Sequence, residues 1–232
     1  ASPLLLLVHG RQGGLIPPEL QELAEELERQ RGAPVLLQAL TRAETPEPTK
    51  AFWAAAQRAG GLSLVPLLLL PGGHVRRDLP ALAQAWRQRA HAKGVQELLR
   101  LPFLGAWPAW QAQLRQQLKA RAAGRPLHWL HHPVEGPPAS RYLEHLARQL
   151  RSPGLAAPLE AGRPGLPALP PQPALIVPWS LAANRLSEAL QGYPLQPGQE
   201  LLPPLLQVES LRQALVELRS EEHTSELQSQ FR

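Results

Sequence analysis

Two histidines, His9 and His74, are the residues of this chain best placed to do chemistry. His9 ends the run LLLLVHG, and His74 follows the run LVPLLLLPGG. Neutral imidazole binds divalent iron, cobalt, nickel and zinc, and it accepts protons near neutral pH. Two imidazoles across a crevice therefore suit a metal with open coordination positions, or the removal of protons from a bound molecule. Gly72 and Gly73 precede His74 and let a ligand approach the backbone, because glycine has no Cβ. Arg11, Arg76 and Arg77 flank the two histidines. They read either as solvated surface charges or as clamps that hydrogen-bond carboxylates in bidentate fashion. His9 and His74 are far apart in sequence, so a structural role for each stays open at this level.

The elements that must position them follow from hydrophobic periodicity. Leu4 to Val8 is a short apolar run of the kind a buried strand needs. A glycine-containing loop, Arg11 to Ile16, leads to a helix opened by Pro17-Pro18 and closed by Gly32. Val35 to Leu40 predicts a second strand and Thr49 to Ala59 a helix. Leu62 to Leu70 predicts a third strand, with His74 in the loop behind it and a helix from Asp78 or Leu79 to about Ala92. A fourth strand over Gln96 to Leu101 and a helix from Trp107-Pro108 to Ala123 complete the unit. Strands alternating with helices of this length predict an α/β protein with a parallel sheet and right-handed crossovers. In strand order 2-1-3-4, His9 and His74 both lie at the switch-point crevice. Trp107 and Trp110 follow strand four and are expected to line that crevice.

Residues 1–124 thus form a first domain carrying both histidines. Residues 125–218 read as a degenerate second copy. Leu127 to Pro133 lies beside Leu4 to Arg11, and Ala174 to Pro178 matches Ser63 to Pro66. In that register Leu186 takes the position of His74, so the copy keeps the strand and loses the histidine. Ser152 to Pro173 is rich in Pro and Gly and predicts irregular chain. His128, His131 and His132 resemble a metal cluster, but neighbouring residues of a strand face opposite sides, and they are set aside.

Composition narrows the function. The 232 residues include no Cys and no Met, which excludes disulfides, thiolate metal sites and thiol nucleophiles. No apolar stretch approaches the roughly 20 residues of a membrane span. The net charge is +5, and nearly all of the basic residues are Arg. That bias reflects either genomic base composition or a surface suited to an anionic partner. No Arg-rich helix with interleaved aromatics points to nucleic acid. Fingerprints for a nucleophile elbow, a phosphate loop or a dinucleotide site do not occur. The missing initiator Met predicts an N-terminal truncation. Residues 219–232 resemble a translated sequencing adapter and are read as an artefactual tail.

The stretch VPLLLLPGGHVRRDLP follows the pattern V-P-L-x-L-x-x-G-x-H-x-x-x-D-[IL]-P. With the strand-His-Gly start, it resembles the class II sirohydrochlorin chelatases of the CbiX/SirB type, in their long form with a degenerate second copy. The resemblance spans residues 4 to about 118 closely, and 126–218 in outline. It implies a chelatase-like α/β fold of two similar halves, each with a parallel sheet flanked by helices. It also implies a cytoplasmic lyase that inserts Co2+ or Fe2+, with Ni2+ a further candidate, into sirohydrochlorin for cobalamin or sirohaem. His9 and His74 would be the catalytic and metal-binding pair. Arg11, Gly72, Gly73, Arg76 and Arg77 would bind the anionic tetrapyrrole. The metal is a substrate, with no organic cofactor, no nucleic acid and no membrane, in a monomer or homodimer. Two departures stand out. Val8-His9-Gly10-Arg11 replaces the usual Gly-His-Gly-Ser-Arg, and Leu40-Thr41-Arg42 occupies the region of a family glutamate, leaving Glu44 as the nearest acid. A non-catalytic tetrapyrrole or metal carrier is the alternative, and a small-molecule enzyme with incidental histidines is a third reading.

Overall fold

The computed structural model describes residues 1–41 and 45–220. Arg42, Glu44 and the chain beyond Ser220 lie outside the described residues. The first strand, β1 (Leu4–Val8), is buried along its whole length, as expected of a central parallel strand covered on both faces. Helix α1 (Pro18–Arg31) turns Leu20, Leu23, Ala24 and Leu27 inward and ends at Gly32 with φ 60°. β2 (Val35–Ala39) is followed by α2 (Lys50–Ala59), whose first turn is capped by Thr49 Oγ1 accepting from Phe52 N–H. Then come β3 (Gly61–Pro66), α3 (Leu79–Ala92), β4 (Glu97–Arg100) and α4 (Pro108–Ala122). The sheet order is β2-β1-β3-β4, all parallel. The expected order holds, and it sets β1 beside β3.

β3 stops four residues before the expected end at Leu70. Leu67 N–H still donates to Leu7 at 2.8 Å, but the Leu68 carbonyl accepts from Gly105 N–H at 2.9 Å. Beyond Pro66 the chain therefore leaves the sheet and packs as a buried apolar loop under residues 104–106. Contact there is so close that a Cβ on Gly105 would lie 2.1 Å from the Leu69 carbonyl oxygen.

The second half repeats the plan with shorter pieces. β5 (Leu127–His131) and α5 (Pro137–Leu150) precede β6 (Gly154–Ala156), a small antiparallel ribbon of β7 (Leu159–Glu160) and β8 (Arg163–Pro164), and β9 (Leu175–Pro178). α6 (Arg185–Gln191), β10 (Glu200–Leu201) and α7 (Glu209–Ser220) follow. The sheet order β10-β9-β5-β6 is the first sheet's order read from the other edge. β6 takes the place of β2, so the Pro/Gly-rich stretch expected to be irregular supplies an edge strand.

One core joins the halves. Leu4, Leu6 and Val8 from the first sheet and Trp129, Leu175 and Val177 from the second belong to the same buried cluster. α7 packs on α1 and α4. Arg219 lies in its last turn, 5% exposed, with its guanidinium 4.8 Å above the Trp107 ring. Burial lowers its pKa to about 10, and the nearby charge of Arg31 adds to that shift. Trp107 and Trp110 are 2% and 0% exposed. They are core residues and not crevice walls, because α4 turns that side of its first turn towards the shared cluster.

Candidate active site

His9 stands one residue beyond β1, and His74 opens a π-helical turn, His74–Asp78, that runs straight into α3. In that turn the Leu79 N–H donates to the His74 carbonyl. Such turns are rare and recur at functional sites. The expected loop at His74 is thus a wound segment. Because β1 and β3 are neighbours, the two imidazoles meet edge to face, with ring centroids 4.8 Å apart. Sequence spacing alone could not show that contact.

Each ring has one nitrogen anchored. His74 Nδ1 lies 2.5 Å from Asp78 Oδ2, and His9 Nδ1 lies 2.8 Å from the Gly10 carbonyl. Both partners are acceptors, so each Nδ1 carries the proton and donates. In the neutral ring this tautomer carries the lone pair on Nε2, the form that binds a metal or takes a proton. Asp78 was not singled out as a site residue from sequence. Its signal is the i, i+4 spacing from His74 on a helical segment.

The flanking groups are distributed unevenly. Arg11 pairs with Glu188 of α6, and the Arg11 carbonyl accepts from Thr41 Oγ1 at 2.7 Å. A Cβ on Gly10 would lie 2.6 Å from the Ala39 Cβ, so this turn tolerates glycine alone. Arg77 folds back over Gly73, where a Cβ would lie 2.8 Å from its guanidinium. Arg76 reaches the second half instead, where a Cβ on Gly136 would lie 2.8 Å from its guanidinium. A Cβ on Gly72 would lie 3.5 Å from Val134. The loops after β3 and β5 therefore meet between the halves.

The second half carries an imidazole, His132, at the position that His9 holds in the first. Leu7 pairs with Pro66 in the first sheet, and Leu130 pairs with Pro178 in the second. His132 is two residues beyond Leu130, as His9 is two beyond Leu7. His132 is held below the usual histidine pKa, chiefly by burial, then by the charges of His9, His131 and Arg185; a hydrogen bond to Ala157 opposes them. The same correspondence puts Leu186, fully buried in α6, at the His74 position. Laying Leu127 on Leu4 already places His132 on His9, so the signal was in the repeat. His131 instead turns into the core, 4% exposed, with its ring 5.2 Å from Trp129.

Among the described residues no group of three or more His, Asp or Glu side chains is arranged to hold a metal ion. Two imidazole nitrogens leave most positions of a divalent cation open.

Comparison with known proteins follows the same outline. The CbiX family model matches residues 3–121, just over half of the chain. SirB from Bacillus subtilis with Fe3+ is similar at 18% identity and TM-score 0.61, over 99% of this chain and 98% of that one. CbiX described as the terminal enzyme of sirohaem biosynthesis in denitrifying bacteria is similar at 18% identity and TM-score 0.53, over 94% and 97%. The sirohydrochlorin chelatase SirB from Bacillus subtilis subspecies spizizenii, in complex with cobalt, shows 16% identity and TM-score 0.55, over 97% of both chains. At these identities the structures establish a shared fold, which here extends through both halves. No curated protein matches the chain.

Proposed function

The chain belongs to the CbiX family, and from that premise we propose that it is a sirohydrochlorin chelatase, inserting Co2+ or Fe2+ into the tetrapyrrole. The observation that carries the reading is the His9–His74 contact at the edge of the first sheet. Family relatives of the same fold are described with sirohaem synthesis, iron and cobalt.

Insertion of a divalent metal replaces two pyrrole N–H protons. The macrocycle lies in the cleft between residues 1–124 and the degenerate copy, residues 125–218. His9 and His74 hold the incoming ion through Nε2 and release it to the ring nitrogens, whose N–H bonds break as the metal bonds form. Freed of the ion, each imidazole accepts a proton at Nε2 and loses it to water. Asp78 keeps His74 in the tautomer this needs and stabilises the cation that forms. Arg76 and Arg77 stand over Gly136 and Gly73, where carboxylates of the substrate would be met by bidentate hydrogen bonds. Arg11 serves the same purpose when it exchanges Glu188 for a substrate carboxylate. On this reading the protein works in the cytoplasm as a monomer or homodimer. Among its described residues no helix is long and apolar enough to cross a membrane.

The test is anaerobic absorption spectroscopy of sirohydrochlorin with Co2+ or Fe2+. Insertion above the uncatalysed rate is expected for the parent, and a loss of at least about a hundredfold in His9→Ala and His74→Ala. A spectral shift on binding without acceleration would replace the enzyme with a carrier.

A further inference from the structure

We infer that Thr41 is the residue that positions His9 for metal binding, its hydroxyl and its backbone N–H together pinning the turn that aims the imidazole towards His74. The inference rests on the reading of His9 and His74 as a metal-handling pair, and it names what holds the first of them in place.

Three observations carry it. The first concerns the ring. His9 Nδ1 donates to the Gly10 carbonyl at 2.8 Å, so the direction of that carbonyl decides where the imidazole points. The second concerns the carbonyls on either side of it. Thr41 N–H donates to the His9 carbonyl at 3.2 Å, and Thr41 Oγ1 donates to the Arg11 carbonyl at 2.7 Å. One residue thus grips the chain before and after the Gly10 carbonyl. Gly14 N–H also reaches the Arg11 carbonyl, at 3.0 Å, and Arg11 N–H reaches the Leu15 carbonyl at 2.7 Å. Those two bonds lie within the loop and move with it. Thr41 ties the turn to the sheet, because Ala39 pairs with Val8 and Leu40 N–H donates to the Val8 carbonyl at 2.8 Å. The third concerns space. Gly10 has φ 74°, and a Cβ there would lie 2.6 Å from Ala39 Cβ and 2.7 Å from Thr41 Oγ1. The turn rests directly on the chain that ends β2, and the hydroxyl is part of its seat.

The consequence is geometric. An ion shared by two imidazoles needs both lone pairs aimed at one point, and the partner of each ring's other nitrogen sets that aim. His74 has a carboxylate for this, Asp78. His9 relies on a backbone carbonyl, which is only as firm as the turn around it. Without the Thr41 hydroxyl the Arg11 side of the turn loses its tie to the sheet, the Gly10 carbonyl turns, and the two lone pairs no longer converge. Thr41 acts through His9 and is a positioning residue.

The experiment titrates the full chain with Co2+ alone, under anaerobic conditions, and follows the visible absorption of the bound ion. It compares the parent, His9→Ala, Thr41→Val and Thr41→Ser, with thermal unfolding to show that each is folded. Valine keeps the shape and the backbone N–H without the hydroxyl, and serine keeps the hydroxyl. The expected result is a Kd for Co2+ raised about tenfold in Thr41→Val, the lower end of the range for disturbing the support of a metal-binding histidine, with altered bands at saturation. Thr41→Ser should stay within about twofold of the parent and keep its bands. A Kd for Thr41→Val within about twofold of the parent overturns the inference. So does equal weakening in Thr41→Ser, which assigns the effect to packing and not to the hydroxyl. A Co2+ spectrum that survives His9→Ala, or a parent that gives none, also overturns it. The same proteins are then assayed with sirohydrochlorin. If Co2+ binding follows the expected order and the parent inserts no metal, the chelatase reading falls and this inference stands. If the parent inserts metal and Thr41→Val binds Co2+ as the parent does, the reverse holds.

Discussion

His74 donates from Nδ1 to Oδ2 of Asp78 at 2.5 Å, across one turn of π-helix. The pair ties the histidine to the same short segment that carries it, so ring orientation and tautomer are set locally. Replacing Asp78 by Asn keeps the size but replaces the charged acceptor with a neutral one. Metal insertion should fall by about 10- to 100-fold, the usual cost of losing the outer partner of a metal-binding histidine. The thermal midpoint should move little, because both groups are partly exposed. Steady-state rates and thermal unfolding of Asp78→Asn check this, and an unchanged rate removes the orienting role.

Gly105 should be intolerant of any side chain. A Cβ there would sit 2.1 Å from the Leu69 carbonyl and 2.5 Å from the Tyr142 hydroxyl, and that hydroxyl donates to the Gly105 carbonyl at 2.6 Å. Gly105→Ala should cost about 1–3 kcal/mol, the range for overpacking a tight interior. Urea denaturation measures it. Activity should fall as well, because the displaced Leu69 lies just upstream of His74.

Glu200 on β10 accepts from Arg125 Nη2 at 2.7 Å and from Arg121 Nε at 2.6 Å. Arg125 first, and then Arg121, hold its carboxyl below the ordinary range against a smaller opposing effect of burial. A carboxyl lowered in the folded state stabilises the protein fully above its unfolded pKa of about 4.3, and that contribution is lost as pH falls through the folded value. Glu200→Gln should therefore lower stability by about 0.5–1 kcal/mol at pH 7. The gap should close in acid, as chemical denaturation from pH 7 down to about pH 3 would show.

Arg11 and Glu188 join the two halves. Both are partly exposed, so a double-mutant cycle on unfolding should give a coupling of about 0–1 kcal/mol, shrinking as salt rises. If Arg11 exchanges this partner for a substrate carboxylate, Arg11→Ala should raise KM for sirohydrochlorin more than it lowers kcat. Equal effects on the two would place Arg11 in the scaffold alone.

Much of this arrangement was legible in the order of residues. Apolar runs bounded by Gly and Pro marked β1, β2 and β3, since a parallel strand covered on both faces needs such a run. Pro17-Pro18 and Gly32 marked the limits of α1. The β-α alternation predicted the order β2-β1-β3-β4, and the matched prolines Pro66 and Pro178 predicted the repeat. What escaped were departures from periodicity. The run Leu62 to Leu70 stayed apolar past the end of the ladder, and apolar content cannot distinguish a strand from a buried loop. Trp107 and Trp110 were placed by chain position at the crevice, but a helix rotates its residues by its own geometry, and α4 turned both into the core.

The chemistry available was determined by sequence alone: imidazole and guanidinium without any thiol, on strands that end in glycine. Which imidazoles meet was decided by tertiary structure. Contact between His9 and His74 requires β1 and β3 to be adjacent, and that adjacency comes from long-range pairing. The ion pair of Arg11 with Glu188 requires more, since it depends on how one half packs on the other through a shared core. A side chain's place just beyond a strand is a local fact, while the group it faces is set by residues more than a hundred positions away.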